Sequence, residues 1–203
     1  HQPKHDLCVA SFTNEEGVRF QPDMMGSLVY AGGLSLDEAY KTVSTEGKTL
    51  KDELKRIGYL GDMECGSLIP HVFLELHIEQ GPILENKNIT IGVVKGVQGI
   101  SWTKVRFYGQ ANHAGTTPME LRHDAGYASA SLAVKVRKIA EDIGPSQVAT
   151  VGVMQPKPNL INVVPGEVHM TVDLRNSNDE NLCRAEVLLD KAIEDICNKE
   201  GVT

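Results

Sequence analysis

The chain has 203 residues, of which 41% are hydrophobic and 23% are charged, and its formal net charge at pH 7 is −7. This composition is typical of a globular protein with one large domain or two smaller ones. The negative charge argues against nucleic acid or an anionic membrane as the main partner, and no apolar run approaches the roughly 20 residues that span a bilayer.

The first half of the chain alternates apolar runs with short helical patterns. Ser35 begins a capping box with Glu38, in which Ser35 is the N-cap and Glu38 is the third helical residue. A second short helix is expected over residues 49–57, and Gly58 marks its end. The other predicted elements are a strand at 7–13, a loop with a short helix at 18–34, a strand at 72–78, a helical turn at 81–86 and a strand at 89–94.

The second half has the clearer periodicity. Polar and apolar residues alternate over 102–109 and 168–175, which predicts two half-exposed strands. Apolar residues recur at helical spacing over 123–142 and 179–199, and 148–154 reads as a further strand. The order β-α-β-β-α is that of a ferredoxin-like unit, which needs one more strand to be complete.

The four cysteines give little sign of a disulfide framework. Cys8, Cys65, Cys183 and Cys197 form no C-x-x-C pair, so a structural zinc knuckle is not expected. We expect buried free thiols in a reducing compartment, and hence a cytoplasmic protein.

Two adjacent carboxylates follow the first predicted strand. Glu15 and Glu16 would repel each other in a cleft, which raises the pKa of at least one of them unless a cation is present. A metal ion relieves this repulsion, with one carboxylate as ligand and the other as general base. The alternative is an ordinary solvated turn.

The strand predicted at 72–78 delivers polar groups into a turn. His77 and Glu79 precede the turn at Gly81 and Pro82 and are candidate metal ligands. A lone histidine in a strand is more often a core residue, and Glu79 could instead orient the site. Gln80 lies at the same strand end and could donate a hydrogen bond to a substrate.

Three further residues are candidates for substrate recognition. His113 lies between small residues that keep its ring accessible, or it bonds to loop carbonyls instead. Asn162 lies in a turn between strands, where a local hydrogen bond is the alternative to a ligand contact. Arg175 ends a strand and suits bidentate binding of a carboxylate, unless it pairs with Asp173 or Glu167.

Five segments together resemble a known family. They are FTNEEGVRF at 12–20, LELHIEQGP at 74–82, NHAGTTPM at 112–119, LINVVPG at 160–166 and DLRN at 173–176. In this order they resemble the zinc-dependent amidohydrolases that act on N-carbamoyl amino acids, ureidopropionate and allantoate, within the di-zinc aminopeptidase-like superfamily. The segment FQPDMMGSLVYAG at 20–32 looks closer to the carbamoylase branch than to the allantoate enzymes.

The resemblance implies a role for each candidate residue. Two acids and two histidines would serve the reaction centre, and three residues would hold the substrate. The implied roles are general base for Glu15, zinc ligand for Glu16 and His77, oxyanion stabilisation across the subunit boundary for His113, and substrate binding for Asn162, Arg175 and, more weakly, Gln80.

The same resemblance implies an α/β architecture in two parts. Residues 1–94 would be part of a di-zinc peptidase-like catalytic domain, and 95–203 a ferredoxin-like βαββα(β) lid that forms a homodimer and lacks its last strand. The cofactor would be two divalent ions, either zinc or manganese, cobalt or nickel. The family's His-x-Asp segment, bridging Asp and last His ligand are absent, so we expect a fragment that cannot hold a working di-zinc centre alone.

Three functions remain as alternatives. The first is hydrolysis of the carbamoyl amide of an N-carbamoyl-L-amino acid, which releases the amino acid, carbon dioxide and ammonia. The second is the same chemistry on N-carbamoyl-β-alanine or allantoate. The third is a dimerisation module that has no activity of its own.

Overall fold

The structure is a computed structural model that describes residues 3–203. The chain divides into two units, residues 1–80 and 81–203. Each unit has its own hydrophobic core. Among the described residues, no helix is both long enough and apolar enough to cross a membrane.

The first unit is built on three short helices, α1 (Met25–Tyr30), α2 (Leu36–Lys41) and α3 (Leu50–Arg56). The predicted capping box at the start of α2 is confirmed, because the Ser35 hydroxyl accepts a hydrogen bond from the Glu38 backbone N–H at 3.2 Å. Thr49 caps α3 in the same way. The small core of this unit consists of Phe20, Met25, Ala39 and Leu50.

The strands predicted at 7–13, 72–78 and 89–94 are wrong as secondary structure. None of these segments is a strand, and most of their apolar side chains are exposed, with Leu74 at 89%. A strand requires a hydrogen-bonded neighbour, and none of the described strands pairs with these segments. Apolar periodicity therefore identified segments with the composition of strands, but it cannot predict whether a second strand pairs with them.

The expectation of buried thiols is also wrong for most of the cysteines. All four are free, as expected, but Cys8, Cys65 and Cys183 are exposed. Only Cys197 is partly buried, and this burial raises the pKa of its thiol. Cys183 lies on the outer side of its helix, where no other element covers it.

The second unit contains the confirmed β-α-β-β-α order. It begins with the predicted helical turn, α4 (Ile83–Asn86). Its remaining elements are β1 (Gly99–Tyr108), β2 (Asn112–His113), a 3₁₀ turn (Met119–Leu121), α5 (Ala125–Ile143), β3 (Val148–Lys157), β4 (Val163–Val164), β5 (Glu167–Asn176) and α6 (Asp179–Glu200).

The main sheet is antiparallel with strand order β1-β5-β3. Along β5 every second residue is buried and the residues between are half-buried, which is the alternation that the sequence predicts. The buried face packs against α5 and α6, with Phe107, Leu132, Leu174 and Leu189 among the least exposed side chains. The opposite face of the sheet is open.

The residues that follow α6 pair with one edge of the sheet. The backbone of Thr203 exchanges two hydrogen bonds with Tyr108 of β1, at 2.6 and 2.9 Å. Gly201 precedes this contact in the left-handed conformation, with φ 65°, as predicted for the residue that ends α6. The chain is thereby directed along the outer edge of β1, where the fourth strand of a ferredoxin-like unit would lie.

The packing of the second unit's core predicts that substitutions at two positions of α5 change the free energy of unfolding by very different amounts. Leu132 is fully buried and Val134 is 70% exposed. We expect Leu132→Ala to lower the free energy of unfolding by about 2–5 kcal/mol because it leaves a cavity, and Val134→Ala to change it by less than about 0.5 kcal/mol. Denaturant unfolding followed by fluorescence of Trp102, the single tryptophan, reports on this unit alone. Equal losses in the two variants would contradict this assignment of the core.

Candidate functional site

The loop that carries the paired glutamates is closed by an asparagine side chain. Asn14 has a left-handed backbone, with φ 56°. Its side-chain amide donates to the carbonyls of Phe20 and Pro22 at 2.9 and 3.0 Å, and its oxygen accepts from the Phe20 N–H at 3.4 Å. Glu15 and Glu16 follow directly and are exposed.

The start of α1 holds the other side of this loop. Three successive backbone N–H groups, those of Met24, Met25 and Gly26, donate to the carbonyls of Glu15, Asn14 and Thr13 at 2.7, 3.3 and 2.9 Å. A Cβ atom on Gly26 would lie 2.6 Å from the Thr13 nitrogen, so this approach requires glycine. The backbone that carries Glu15 is therefore fixed while the carboxylates remain accessible.

An ion-pair network anchors the far end of the loop. Arg19 pairs with Glu46 at 2.8 Å and with Glu53 at 2.5 Å, and Arg56 pairs with Glu53 at 3.0 Å. The guanidinium groups of Arg56 and Arg19 lower the pKa of Glu53 to about 2. This network ties the loop to α3.

The second predicted ligand segment runs beside the first. His5 stacks on His71 with ring centroids 5.4 Å apart, and Phe12 lies 6.5 Å from Phe73. Both contacts join the first segment to the second, at His71 and at Phe73. That Glu16 and His77 serve the same site stays a prediction.

His77 has a local partner in the structure. Its Nε2 lies 2.9 Å from an oxygen of Glu75, and both side chains are more than half exposed. Gln80 has a left-handed backbone with φ 54°, which turns the chain after the apolar segment. Glu79 is exposed.

The described residues do not fit a metal ion by themselves. Within residues 3–203, no three His, Cys, Asp or Glu side chains are grouped closely enough to hold one. A zinc site needs three or four protein ligands, and Glu16 and His77 would supply two. Glu16 and His77 would therefore need further ligands to hold a metal ion.

The second unit brings two predicted site residues together. The short strands β2 and β4 pair, with His113 opposite Val163, and the Ala114 N–H donates to the Asn162 carbonyl at 2.9 Å. Both His113 and Asn162 are exposed. His113 and Asn162 thus lie close together at the small two-stranded sheet of β2 and β4.

The tautomer of His113 follows from a backbone contact. The Gly115 N–H donates to His113 Nδ1 at 3.1 Å, so Nδ1 is an acceptor. In the neutral ring the proton must then lie on Nε2, which becomes a donor. His113 is therefore arranged to donate a hydrogen bond from Nε2.

Arg122 stabilises the loop that follows His113. Its guanidinium donates to the carbonyls of Ala114 and Thr117 at 2.8 and 3.1 Å. The Thr117 hydroxyl also donates to the His113 carbonyl at 2.8 Å. Sequence reasoning missed Arg122 because an isolated arginine after a turn carries no distinguishing pattern.

Arg175 is paired with Asp173, one of the two partners that the sequence left open. Its Nε donates to the two oxygens of Asp173 at 3.0 and 3.1 Å, and its Nη2 donates at 2.8 Å. The pKa of Asp173 is lowered by these bonds. The other candidate, Glu167, pairs with His169 and with Lys157 instead.

Arg175 lies far along β5 from the other substrate-binding candidates. It is eight residues beyond Glu167, a distance of about 26 Å along a strand. His113 and Asn162 belong to connections at the Glu167 end, where Tyr108 pairs with Glu167. The structure therefore joins His113 with Asn162 and separates both from Arg175.

Comparison with known proteins gives a consistent set of relatives. Residues 95–201 match the model of the peptidase dimerisation domain, M20_dimer. The chain is 44% identical over 199 residues to an N-carbamoyl-L-amino-acid amidohydrolase of Rhizobium meliloti, covering 98% of this chain and 48% of that protein. It is 37% identical over 190 residues to an Arabidopsis thaliana ureidoglycolate hydrolase, covering 88% of this chain and 40% of that protein.

Solved structures agree with this relationship. A hydantoinase/carbamoylase family amidase from Burkholderia multivorans superposes with a TM-score of 0.89 at 44% identity, covering 95% of this chain and 47% of that chain. The chain spans about half the length of the curated relatives it matches.

The ion-pair network of the glutamate loop predicts a pH dependence. Because the pKa of Glu53 in the folded state lies below its ordinary value of 4.5, its ionised form stabilises the fold above that pH. This stabilisation is lost as the pH falls from about 4.5 towards about 2. A carbon-13 NMR titration of the Glu53 carboxyl should give the low value, and Arg56→Ala or Arg19→Ala should raise it.

The matched control is Arg137→Ala, which removes an exposed arginine of the second unit and should leave the Glu53 titration unchanged. A Glu53 pKa near 4.5 in the unaltered protein would show that the network does not persist in solution.

Proposed function

The chain belongs to the M20 peptidase dimerisation domain family, and on this premise we propose that it acts in an amidohydrolase of N-carbamoyl-L-amino acids. The observation that carries the proposal is the likeness across nearly the whole chain, in sequence to such an enzyme and in backbone structure to an amidase of the hydantoinase/carbamoylase family. The four free cysteines support the expectation of a reducing, cytoplasmic environment.

The proposed reaction consumes one water molecule. Water attacks the carbamoyl carbon of the substrate, and both C–N bonds of the ureido group are eventually broken. The products are the free amino acid, carbon dioxide and ammonia. The difficult steps are removal of a proton from water and stabilisation of the oxyanion that forms on the attacked carbon.

Glu15 is proposed as the general base. Its backbone is fixed by the start of α1 while its carboxylate is exposed, which suits a group that accepts a proton from water and returns it to the leaving nitrogen. Glu16 and His77 are proposed as two ligands of a pair of divalent ions in the whole protein, zinc or a related transition metal. The remaining ligands would come from outside the described residues.

His113 is proposed to stabilise the oxyanion. The Gly115 N–H occupies Nδ1, so Nε2–H is the donor that remains for the substrate. Arg122 and Thr117 keep the backbone around His113 in place. A donor held before the reaction begins needs little reorganisation when charge develops on the oxygen.

Arg175, Asn162 and Gln80 are proposed to bind the substrate's carboxylate end. N-carbamoyl amino acids and ureidoglycolate share a ureido group on the carbon next to a carboxylate. The likeness to ureidoglycolate hydrolases therefore supports the same recognition chemistry and makes ureidoglycolate a second candidate substrate. N-carbamoyl-β-alanine and allantoate remain alternatives of the same chemical class.

A homodimer reconciles these roles with the separation along β5. We place His113 and Asn162 of one copy and Arg175 of the other at the same substrate. The match to a dimerisation domain over residues 95–201 supports this arrangement. If the chain were only a dimerisation module, it would associate in sedimentation experiments but take no part in substrate binding.

The role of Glu15 predicts the effect of one isosteric change. In the whole enzyme that carries this chain, we expect Glu15→Gln to lower kcat by about 10²–10⁴-fold with a similar KM, because the base is lost and the shape is kept. Turnover is measured on N-carbamoyl-L-amino acids, N-carbamoyl-β-alanine, ureidoglycolate and allantoate, with the first expected to give the highest kcat/KM. Glu64→Gln, at another exposed acid, is the control.

Retained turnover in Glu15→Gln would remove the role given to Glu15. A higher kcat/KM on one of the other three substrates would reassign the substrate and leave the chemistry in place.

The shared site predicts complementation between inactive variants. His113→Ala and Arg175→Ala should each be nearly inactive, whereas dimers re-formed from an equal mixture should recover about a quarter of the wild-type activity, since half of the dimers carry one intact site of two. The control is a mixture of His113→Ala and Asn162→Ala. The same copy supplies both residues to a site, so this mixture should not recover activity. No recovery in the first mixture would place all three residues in one chain's site.

A further inference from the structure

The guanidinium of Arg175 is held along one of its edges. All the hydrogen bonds that it makes go to Asp173, and they use Nε and Nη2. Among the described residues, no partner engages Nη1. The edge formed by Nη1 and Nη2 therefore stays available, and the side chain as a whole is 39% exposed.

Asp173 has a neighbour on the adjacent strand. Trp102 of β1 lies directly opposite Asp173 in the sheet register. The hydrogen bonds from Arg175 keep the pKa of Asp173 low, so the carboxylate stays ionised near neutral pH.

The backbone at Arg175 is fixed by a buried amide pair. The Gln147 amide donates to the Arg175 carbonyl at 3.1 Å and to the Val148 carbonyl at 3.0 Å. Asn176 donates to the Gln147 oxygen at 2.9 Å, and both amide side chains are almost fully buried. Both the main chain and the guanidinium edge of Arg175 are thus held before any ligand arrives.

We infer that Asp173 is the positioning residue for substrate recognition: it holds the Nε–Nη2 edge of Arg175, so that the Nη1–Nη2 edge meets the two oxygens of the substrate's carboxylate. This inference rests on the proposed function, in which Arg175 binds that carboxylate. Asp173 acts through Arg175 and does not touch the substrate itself.

The arrangement has a consequence for specificity. The pair of Arg175 and Asp173 has no net charge, so it attracts anions only weakly at long range. Its discrimination then comes from geometry, because two parallel N–H groups match the two oxygens of a planar carboxylate. A free arginine on the same strand would bind anions of many shapes.

The test is a comparison of KM and kcat in the whole enzyme. We expect Asp173→Asn to raise KM for an N-carbamoyl-L-amino acid by about 10- to 100-fold with kcat changed little, because a charge-assisted hydrogen-bond pair is weakened. Asp173→Glu should recover part of the loss. Glu167→Gln, which alters an ion-paired acid on the same strand and face, is the matched control and should leave KM unchanged.

A second substrate separates positioning from a general structural role. In the carboxamide analogue, the substrate's carboxylate is replaced by a neutral amide. Asp173→Asn should add little to the already high KM of this analogue, because the contact that Asp173 supports is missing. An equal rise in KM for both substrates would overturn the inference, as would an unchanged or lowered KM for the carboxylate substrate.

Arg175→Lys distinguishes failure of this inference from failure of the proposed function. If Arg175→Lys leaves KM unchanged, the carboxylate site itself is misplaced, and both proposals fall. If Arg175→Lys raises KM and Asp173→Asn does not, only the positioning role falls. Should Asp173→Asn fail to fold, Asp173→Ser is measured in its place and should also raise KM; an unchanged KM would count against the inference.

Discussion

The second unit depends on the pairing of β5 with strands on both of its edges. Ten residues of β5 pair with β1 on one side and nine pair with β3 on the other, so neither neighbour can shift without breaking a ladder. Since side chains alternate between faces, a shift of one residue would send Val168, Met170, Val172 and Leu174 away from the helices. The same alternation sets Asp173 and Arg175 on the open face.

Both functional loops are built from hydrogen bonds that fix the backbone and leave the reactive side chain exposed. Around Glu15 these bonds come from Asn14 and from the N–H groups at the start of α1. Around His113 they come from Thr117 and Arg122. In each case the supporting groups are not the ones proposed to meet the substrate, which allows a rigid loop to present an unshielded acid or imidazole.

Much of the second unit could be predicted from the sequence because its signals are local. Alternation gave β1 and β5, helical spacing gave α5 and α6, and Gly201 marked the end of α6. The three apolar segments of 7–13, 72–78 and 89–94 failed as strands because strand formation depends on a partner, which no local pattern reveals. The motifs named the site residues, but the Trp102–Asp173 pairing and the distance between Arg175 and Asn162 depend on register and strand direction.

The length of β5 also limits how such a protein can change its substrate. Adding two residues to the strand would keep Arg175 on the open face but move it outward by about 6.6 Å, and adding one would turn it into the core. The position of Arg175 along the central strand can therefore change only in steps of two residues. Finer adjustment to a longer or shorter substrate would have to arise in the loops around His113 and Asn162, where single insertions leave the sheet intact.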